Sequence, residues 1–211
     1  MKELLTIQHE DLSETLVEEP QNEYGFTYAD YLTWNFKERI ELIRGKIFKM
    51  SPAPTVTHQI ILGNLFVYFV PRIKGEKCKS IIAPVDVRLK GKLFKNRKRK
   101  DNQITTVVQP DLIVVCDPAK LEDKRSVDGA PEMVIEILSP GNSKTETKYK
   151  LGLYEENGVL EYWVLYPPFK MVHVFLLQDD VYGKPLIYES GDKIPCTVLR
   201  GIKIPVDEIF K

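Results

Sequence analysis

The sequence predicts an α/β fold in which a mixed central sheet is flanked by helices and followed by an antiparallel, β-rich C-terminal part. Two segments, TTVVQPDLIVVCD (105–117) and APEMVIEILSP (130–140), each carry a nearly continuous apolar run. Such runs suit strands that are buried on both faces, as at the centre of an α/β sheet. Because the predicted strands alternate with few helices and end in a β-rich tail, we expect a mixed sheet.

Length and composition are those of one folded domain. The 211 residues are 43% hydrophobic and 28% charged, with 30 Lys and Arg against 30 Asp and Glu. This content excludes a disordered or collagen-like chain, and the zero net charge argues against a strongly cationic nucleic-acid binder. The charge is uneven, however, because residues 1–24 carry seven acids and one lysine. We therefore expect an acidic N-terminal arm over 1–24 and a single domain over 25–211.

Cysteine usage and hydropathy indicate a cytoplasmic protein. The three cysteines (Cys78, Cys116 and Cys196) are far apart and form no CxxC pair. This pattern predicts reduced thiols, with neither a disulfide nor a zinc site. The N-terminus has acids where a signal peptide carries its apolar stretch. The most apolar segment, residues 60–70, is much shorter than the roughly 20 residues that span a bilayer.

The first predicted elements are a short helix and a hairpin. Thr27, with Asp30 three residues later, is typical of a capped helix start, so we expect a helix over 27–38. Two short apolar runs then flank the turn-like pair Arg44-Gly45, which predicts a β-hairpin over 40–50.

The remaining elements follow in chain order. A helix is expected from Thr57 to about Val70, where apolar residues recur at helical spacing. A further helix is expected to begin at Asn142 or Ser143, which suit its N-cap, and to end before Gly158. The other predicted elements are strands around Pro84, within the two apolar runs, and over 161–167, 171–177 and 181–190, and a short helix over 205–210.

Two carboxylates lie in or against the most apolar strands. Asp111 stands at the start of one run, and Glu136 is embedded in MVIEIL. A carboxylate in a buried strand costs several kcal/mol unless it is paired, hydrogen-bonded or bound to a metal. Side-chain alternation puts Glu136 on the same face as Val134 and Leu138. If the two strands pair, the carboxylates converge, and oxygen ligands of this kind suit a hard divalent cation such as Mg²⁺.

Each acid also has a plainer explanation that the sequence leaves open. Glu136 could form an ion pair with a buried Arg or Lys. Asp111 could serve the turn chemistry that is ordinary for Pro-Asp at the start of a strand. Glu41, in IELIRG, is a third acid in an apolar setting, and alternation alone also allows it to face solvent on the hairpin.

Five short motifs, taken in order, resemble the Uma-two family of restriction-endonuclease-like proteins. They are Glu41-Leu42-Ile43-x-Gly45, Pro54-x₃-His58, Gln109-Pro110-Asp111-Leu112, Ala130-Pro131-x₄-Glu136-Ile137-Leu138-Ser139-Pro140 and Gly158-Val159-x-Glu161-Tyr162-Trp163. Each motif alone is weak, but the ordered set is specific, above all EILSP followed by a helix and then by GVxEYW. The resemblance covers about residues 26–205.

The resemblance implies the PD-(D/E)xK nuclease fold, with a restriction-endonuclease-like mixed sheet flanked by helices. In that superfamily the Asp of Pro-Asp and the Glu of the next strand bind Mg²⁺, and a nearby Lys assists the attacking water. Asp111 and Glu136 match the first two positions, but Leu138 stands where the Lys should be. Members of the family usually carry a Lys on the following helix, and the matching residue is Lys150, in a K-x₃-Y spacing with Tyr154.

A surface ion pair is the simpler alternative for this lysine. Glu146 lies four residues before Lys150, where relatives tend to have Asp, and the spacing puts both residues on one helical stripe with Tyr154. A solvated pair of this kind contributes only about 0.2–0.5 kcal/mol.

The function that the resemblance implies is metal-dependent hydrolysis of DNA phosphodiester bonds. Asp111 and Glu136, with the backbone carbonyl of Ile137, would hold Mg²⁺, for which Mn²⁺ could substitute. Lys150 would orient the water or stabilise charge in the transition state. Glu41 would complete the outer sphere of the metal.

Other residues are expected to contact the substrate. His58 matches the family's histidine and would contact a phosphate or transfer a proton, although a histidine that packs locally at its helix start is equally consistent. The segment KGKLFKNRKRK (90–100) holds seven Lys and Arg in eleven positions, which suits phosphate neutralisation or, alternatively, a solvated hairpin tip. The residues expected to contact nucleic acid are Lys95, Arg97, Lys98, Arg99 and Lys100.

Three functions remain open at this point. The first is a DNA endonuclease, which we expect to be a homodimer because enzymes that cut both strands commonly act as symmetric pairs. The second is a catalytically degenerate family member that binds nucleic acid or protein, which Leu138 and the zero net charge favour modestly. The third is a small-phosphoester hydrolase that uses the same metal pair.

Overall fold

The computed structural model describes residues 25–50, 53–74, 77–91, 99–139 and 144–211, without the side chains of 144–147. The expected acidic arm, most of the basic run and the expected N-cap at Asn142 or Ser143 therefore lie outside the described residues.

Most helices and strands lie in the order expected from the sequence, but the short strands Ser126–Asp128, Lys193–Pro195 and Lys203–Pro205 were not expected. The elements are α1 (Tyr28–Tyr31), β1 (Ile40–Ile43), β2 (Lys46–Lys49), α2 (Val56–Arg72), β3 (Lys79–Ile82), β4 (Asp86–Arg88), β5 (Val107–Val108), β6 (Leu112–Val115), β7 (Ser126–Asp128), β8 (Met133–Ile137), α3 (Lys144–Asn157), β9 (Glu161–Tyr166), β10 (Met171–Gln178), β11 (Val181–Tyr182), β12 (Leu186–Tyr188), β13 (Lys193–Pro195), β14 (Lys203–Pro205) and α4 (Val206–Ile209). Within the described ranges, no helix is both long and apolar enough to cross a lipid bilayer.

The main sheet is mixed, as predicted. Its strands lie in the order β11-β10-β9-β8-β6-β3, and β12 also pairs with β10. The central pair β8–β9 is parallel, while the pairs on either side of it are antiparallel. A parallel pair needs a crossover connection, and α3 supplies it between the ends of β8 and β9.

A second sheet, which the sequence did not predict, contains the N-terminal hairpin. Its order is β2-β1-β5-β4-β7, because β1 pairs with β5 rather than with a strand of the main sheet. The chain passes from one sheet to the other between β5 and β6, at Pro110-Asp111. Proline has no N–H to donate to a ladder, so it suits this break. Asp111 consequently lies where the two sheets meet.

Two hydrophobic clusters cover the opposite faces of the main sheet. Met133, Ile135 and Ile137 of β8 pack with α2, α4 and the β13–β14 hairpin. Val134 packs on the other side with α3 and the second sheet, and Leu138 lies against the same cluster. The predicted alternation along β8 is therefore confirmed.

The ends of the first two helices differ in how well they were predicted. Helix α1 has the expected capping box of Thr27 and Asp30 but is only four residues long. The helix ends in a tight turn, because the Asp30 carbonyl accepts both the Thr33 backbone N–H, three residues later (2.9 Å), and the Thr33 hydroxyl (2.7 Å). Such local bonds favour a turn over a continuing helix. Helix α2, capped by Thr55, matches the expected range within about two residues at each end.

The prediction of reduced thiols is wrong for two of the three cysteines. Cys78 and Cys116 form a disulfide. They directly flank a matched pair of the β3–β6 ladder, Lys79 opposite Val115, so the register places them face to face. Their separation of 38 positions gives no hint of this pairing. Cys196 is free and buried, and burial raises the pKa of its thiol well above the ordinary value.

Candidate active site

The junction of the two sheets collects polar side chains that are far apart in the sequence. Asp111 precedes β6, Glu136 lies on β8 and Glu41 on β1, while His58 comes from α2 and Lys150 from α3. All of them except Asp111 are buried. Buried polar groups persist only where partners satisfy them, and each of these side chains has a hydrogen-bond partner.

Asp111 is bound to the strand that carries Glu136. The antiparallel register of β6 and β8 sets Leu112 opposite Ile135, which brings Asp111 beside Glu136 at the end of the ladder. One carboxylate oxygen of Asp111, Oδ2, accepts a hydrogen bond from the Ile137 backbone N–H at 2.8 Å. The two predicted carboxylates therefore converge, although 25 positions separate them in the sequence.

His58 contacts the same oxygen of Asp111. Its Nε2 lies 3.1 Å from Asp111 Oδ2, and its side chain is buried at the start of α2. The His58 backbone N–H donates to the hydroxyl of the N-cap residue Thr55 at 3.2 Å, so the helix start fixes the position of the imidazole. The other ring nitrogen, Nδ1, is buried and has no hydrogen-bond partner among the described residues.

Glu136 is the most deeply perturbed acid of the cluster. Its Oε1 accepts hydrogen bonds from Lys150 Nζ at 3.0 Å and from the Tyr154 hydroxyl at 2.7 Å. Burial raises the pKa of Glu136 to about 7; Lys150 opposes this rise, and the negative charges of Asp111 and Glu41 add to it. A carboxylate with a pKa near neutrality in such a cluster is typical of functional sites.

Lys150 lies inside the cluster rather than on the surface. It is 8% exposed, and its Nζ bridges Glu136 and Glu41, 3.3 Å from Glu41 Oε1. This geometry excludes a solvated surface pair for Lys150, whereas the side chain of Glu146 lies outside the described residues. Helix α3 thus delivers an amine to the carboxylate on β8, while Leu138 packs into the neighbouring hydrophobic cluster.

Glu41 is buried and does not face solvent on the hairpin. Its Oε1 accepts from Lys150 and also from the backbone N–H of Gln109 at 2.9 Å. Since Gln109 lies two residues before Asp111, this bond ties the second sheet to the segment that carries the first predicted metal ligand.

Most of the chain is similar to known proteins. Residues 28–207 match the model of the family described as "Uma2: Putative restriction endonuclease". The chain belongs to this family. A relative of this chain is the "Uncharacterized protein slr1290" of Synechocystis sp. The two sequences are 25% identical over 187 residues, which cover 86% of this chain and 90% of the relative.

A solved structure shares the fold. The "putative nuclease belonging to DUF820" from Anabaena variabilis matches with a TM-score of 0.68 at 18% identity, covering 88% of this chain and 97% of the other. This likeness confirms the predicted fold class, and the family match confirms the resemblance read from the motifs.

The oxygen atoms of this Uma2-family site suit a small hard cation. Within the described residues, no group of three or more His, Cys, Asp or Glu is arranged to hold a metal ion. Mg²⁺, however, is commonly bound through one or two carboxylates with water and substrate phosphates completing its shell. The described hydrogen bonds to Asp111 end on Oδ2 and those to Glu136 end on Oε1. One oxygen of each carboxylate, Asp111 Oδ1 and Glu136 Oε2, therefore receives none of these hydrogen bonds, and oxygen atoms of this kind have the chemistry that the predicted metal requires.

Two residues of the site were not assigned a role from the sequence. Tyr154 holds Glu136 through its hydroxyl, and Gln109 holds Glu41 through its backbone. The K-x₃-Y spacing is the signal for Tyr154, because residues four apart lie on one helical stripe. Gln109 has no comparable signal beyond its place in Gln-Pro-Asp.

One residue of the matched motifs serves the fold instead. Glu161, in Gly-Val-x-Glu-Tyr-Trp, lies at the other end of β9 and is fully buried. It accepts hydrogen bonds from the Trp163 indole and from the Thr197 and Val198 backbone N–H groups, all at 2.8 Å. Glu161 thus anchors the turn between β13 and β14, while Trp163 lies in the core, as expected.

The basic run is only partly described. Lys95, Arg97 and Lys98 lie outside the described residues, whereas Lys100 is exposed and Arg99 is half-buried. Lys90, the first residue of the run, is buried and pairs with Asp128 at 2.5 Å, so it serves the fold.

Proposed function

We propose that this protein is a Mg²⁺-dependent endonuclease that hydrolyses DNA phosphodiester bonds, with Mn²⁺ as a substitute metal. The observation that carries the proposal is the convergence of Asp111, Glu136 and Lys150 at the sheet junction. Two carboxylates and a buried amine are the side chains that such hydrolysis requires, and the family description points to the same reaction.

In this proposal Asp111 and Glu136, with the Ile137 carbonyl, hold the cation. When bound, Mg²⁺ lowers the pKa of a coordinated water and offsets the negative charge of the phosphate. The hydrogen bond from the Ile137 N–H fixes the Asp111 carboxylate, and the Tyr154 hydroxyl fixes that of Glu136. Both ligands are therefore oriented before any substrate arrives, which reduces the reorganisation needed during the reaction.

Lys150 supplies the positive charge that is missing at position 138, where the superfamily usually has a lysine and this chain has Leu138. Its ammonium group is held by Glu136 and Glu41, so it can orient the attacking water or stabilise charge on the phosphate oxygens. His58, beside Asp111, is suited to hold or pass a proton through its ring nitrogens. Glu41 keeps the amine in place and completes the outer sphere of the cation.

The surface contacts to DNA are proposed for Lys95, Arg97, Lys98, Arg99 and Lys100. The acids of the site would repel phosphates without a cation, and a basic segment would offset this repulsion. Neutralising Arg97, Lys98, Arg99 and Lys100 together should reduce both DNA affinity and its salt dependence.

A homodimer is proposed with α2 as the contact surface. Val56, Ile60, Val67 and Val70 are between 40% and 77% exposed on one face of this helix. With Gly63 they recur at alternating spacings of four and three, which is typical of helices that pair. The face carries no Asp, Glu, Lys or Arg between Thr55 and Pro71, and the space above Gly63 is open. A second copy can therefore approach closely without charge repulsion.

Nicking of supercoiled DNA tests the reaction. Purified protein is incubated with plasmid and Mg²⁺ or Mn²⁺, and Glu136→Ala is compared with Glu189→Ala, which removes an exposed acid far along the chain. We expect Glu136→Ala to lose at least about 100-fold in rate, as is usual for the loss of a group that stabilises the transition state, while the control cuts like wild type. If wild type and Glu136→Ala give the same background, the nuclease proposal fails.

A non-catalytic binding module is the second candidate. Leu138 at the usual lysine position favours it, as does the zero net charge of the chain. Plasmid that is retarded in a gel but not cut with either metal would identify this function. Hydrolysis of a small aryl phosphodiester without DNA cleavage would instead indicate a small-phosphoester hydrolase.

A further inference from the structure

Arg39 is an exposed arginine whose position is set by a chain of hydrogen bonds. Its Nε and Nη2 donate to Gln109 Oε1, at 3.2 and 2.8 Å. Gln109 Nε2 donates in turn to Asp86 Oδ1 at 2.9 Å and to the Tyr31 hydroxyl at 3.2 Å. A carboxylate only accepts and a guanidinium only donates, so the amide of Gln109 can lie in one orientation, with its oxygen toward Arg39.

The charge of Arg39 is left without a carboxylate partner in the part of the chain that the structure describes. Arg44, Arg88 and Arg125 each form an ion pair with an acid. Arg39 is instead bonded to the neutral amide of Gln109, which orients the guanidinium but does not neutralise it. Of the five N–H donors of an arginine, Gln109 engages two, which leaves donors for a further acceptor.

Arg39 also lies at the edge of the acidic cluster of Glu41, Asp111 and Glu136. It lies two residues before Glu41, and its carbonyl accepts from the Met50 N–H at 2.9 Å, so the strand ladder continues through it. Strand alternation then places Arg39 on the same face as Glu41. Gln109 connects the two as well, because its backbone N–H donates to Glu41 and its chain continues into Asp111.

We propose that Arg39 contacts a phosphate of the nucleic-acid backbone next to the catalytic cluster, and that Gln109 positions it for this contact. The inference rests on the proposed nuclease function for the identity of the substrate. An oriented, exposed and unneutralised guanidinium is the group best suited to hold a phosphate through paired N–H donors. Phosphate contacts set the register of a duplex without reading its sequence, so Arg39 would align the strand with the reacting centre.

Metal-free DNA binding tests this contact separately from catalysis. Fluorescence anisotropy of a short labelled duplex in EDTA is followed as KCl rises from about 50 to about 200 mM. We expect Arg39→Ala to weaken binding about tenfold at low salt and to reduce the slope of log K against log salt by about 0.9. Arg39→Lys should keep the slope but only part of the affinity, since an ammonium group lacks the guanidinium fork.

Two further variants separate a phosphate contact from a structural role. Gln109→Leu keeps the charge of Arg39, so it should lower affinity severalfold with nearly the wild-type slope. Arg200→Ala, the control, removes an exposed arginine of the β13–β14 turn. Its DNA affinity and its salt slope should both match those of wild type. Thermal unfolding of the Arg39 variants should remain that of wild type.

The outcomes for the contact and for the nuclease are distinct. If Arg39→Ala keeps wild-type affinity and slope, the phosphate contact is overturned whether or not the protein cuts DNA. If Arg39→Ala lowers both the DNA affinity and the salt slope but wild type cuts no DNA with either metal, the nuclease proposal fails and the phosphate contact stands. A wild-type protein that does not bind the duplex in EDTA overturns the phosphate contact, and one that in addition cuts no plasmid with either metal overturns both proposals.

Discussion

Replacing Lys150 with methionine tests whether its ammonium group holds the buried carboxylates together. Lys150 Nζ lies 3.0 Å from Glu136 and 3.3 Å from Glu41, and the residue is 8% exposed. Methionine keeps most of the apolar stem but removes the charge, so both acids lose their shared donor. Breaking a buried ion pair in this way lowers the free energy of unfolding by about 3–5 kcal/mol.

This destabilisation should increase with pH. Burial raises the pKa of Glu136 from 4.5 in the unfolded chain to about 7 in the folded protein. The protonated side chain is therefore favoured by folding, and its contribution is complete below about pH 4.5 and is lost as the pH rises through 7. A pKa difference of this size corresponds to about 3 kcal/mol. Lys150 limits the loss by stabilising the ionised form, so its removal should cost more at about pH 8 than at about pH 5.

Urea unfolding followed by circular dichroism at both pH values measures this cost. Lys148→Met is the matched control, because Lys148 is exposed on the same helix and its loss should change stability by less than about 0.5 kcal/mol. A cost for Lys150→Met no larger than that of the control would refute the buried ion pair. A large cost that is equal at both pH values would refute Glu136 as the partner.

Three further predictions concern the metal, the fold and the dimer. Calorimetric titration with Mn²⁺ should show a heat of binding that Asp111→Asn abolishes, and a heat that survives this substitution contradicts the metal assignment. The affinity for Mn²⁺ should rise as the pH rises through about 7, because the cation binds the ionised form of Glu136. Glu161→Ala should lower the free energy of unfolding by about 2–4 kcal/mol in urea, because it leaves buried N–H donors unsatisfied, without slowing plasmid cutting by the folded protein. Val67→Glu, which places a charge on the proposed α2 contact surface, should halve the molecular mass measured by light scattering. Val181→Glu, on a distant strand edge, should leave the mass unchanged. A wild-type protein that is monomeric contradicts the dimer.

The local elements were largely readable from the sequence. The strand at 133–137 and the alternation of its faces follow from a pattern with a period of two, and α2 follows from a period near 3.6. The hairpin around Arg44-Gly45 also formed as expected, with β1 and β2 antiparallel. These features depend on neighbours within a few positions, which is the range over which a sequence pattern carries information.

The acids of the candidate site were recognisable for a related reason. A carboxylate inside an apolar strand is conspicuous because burial is costly without a partner, and Glu136 met that criterion. The identity of its partners was not recognisable. Lys150 could equally have been a surface residue beside Glu146, and only the packing of α3 against the main sheet brings its amine to Glu136 and Glu41.

What tertiary structure alone decided is which distant residues meet. The second sheet depends on β1 pairing with β5, and the Cys78–Cys116 disulfide depends on the register of β3 and β6. The contact between Lys150 and Glu41 joins residues 109 positions apart. The sequence determined where most helices and strands lie and singled out Glu136 as a costly buried charge, because these follow from local period and polarity. Pairing over such separations leaves no local pattern, since it results from the packing of whole elements around a shared core.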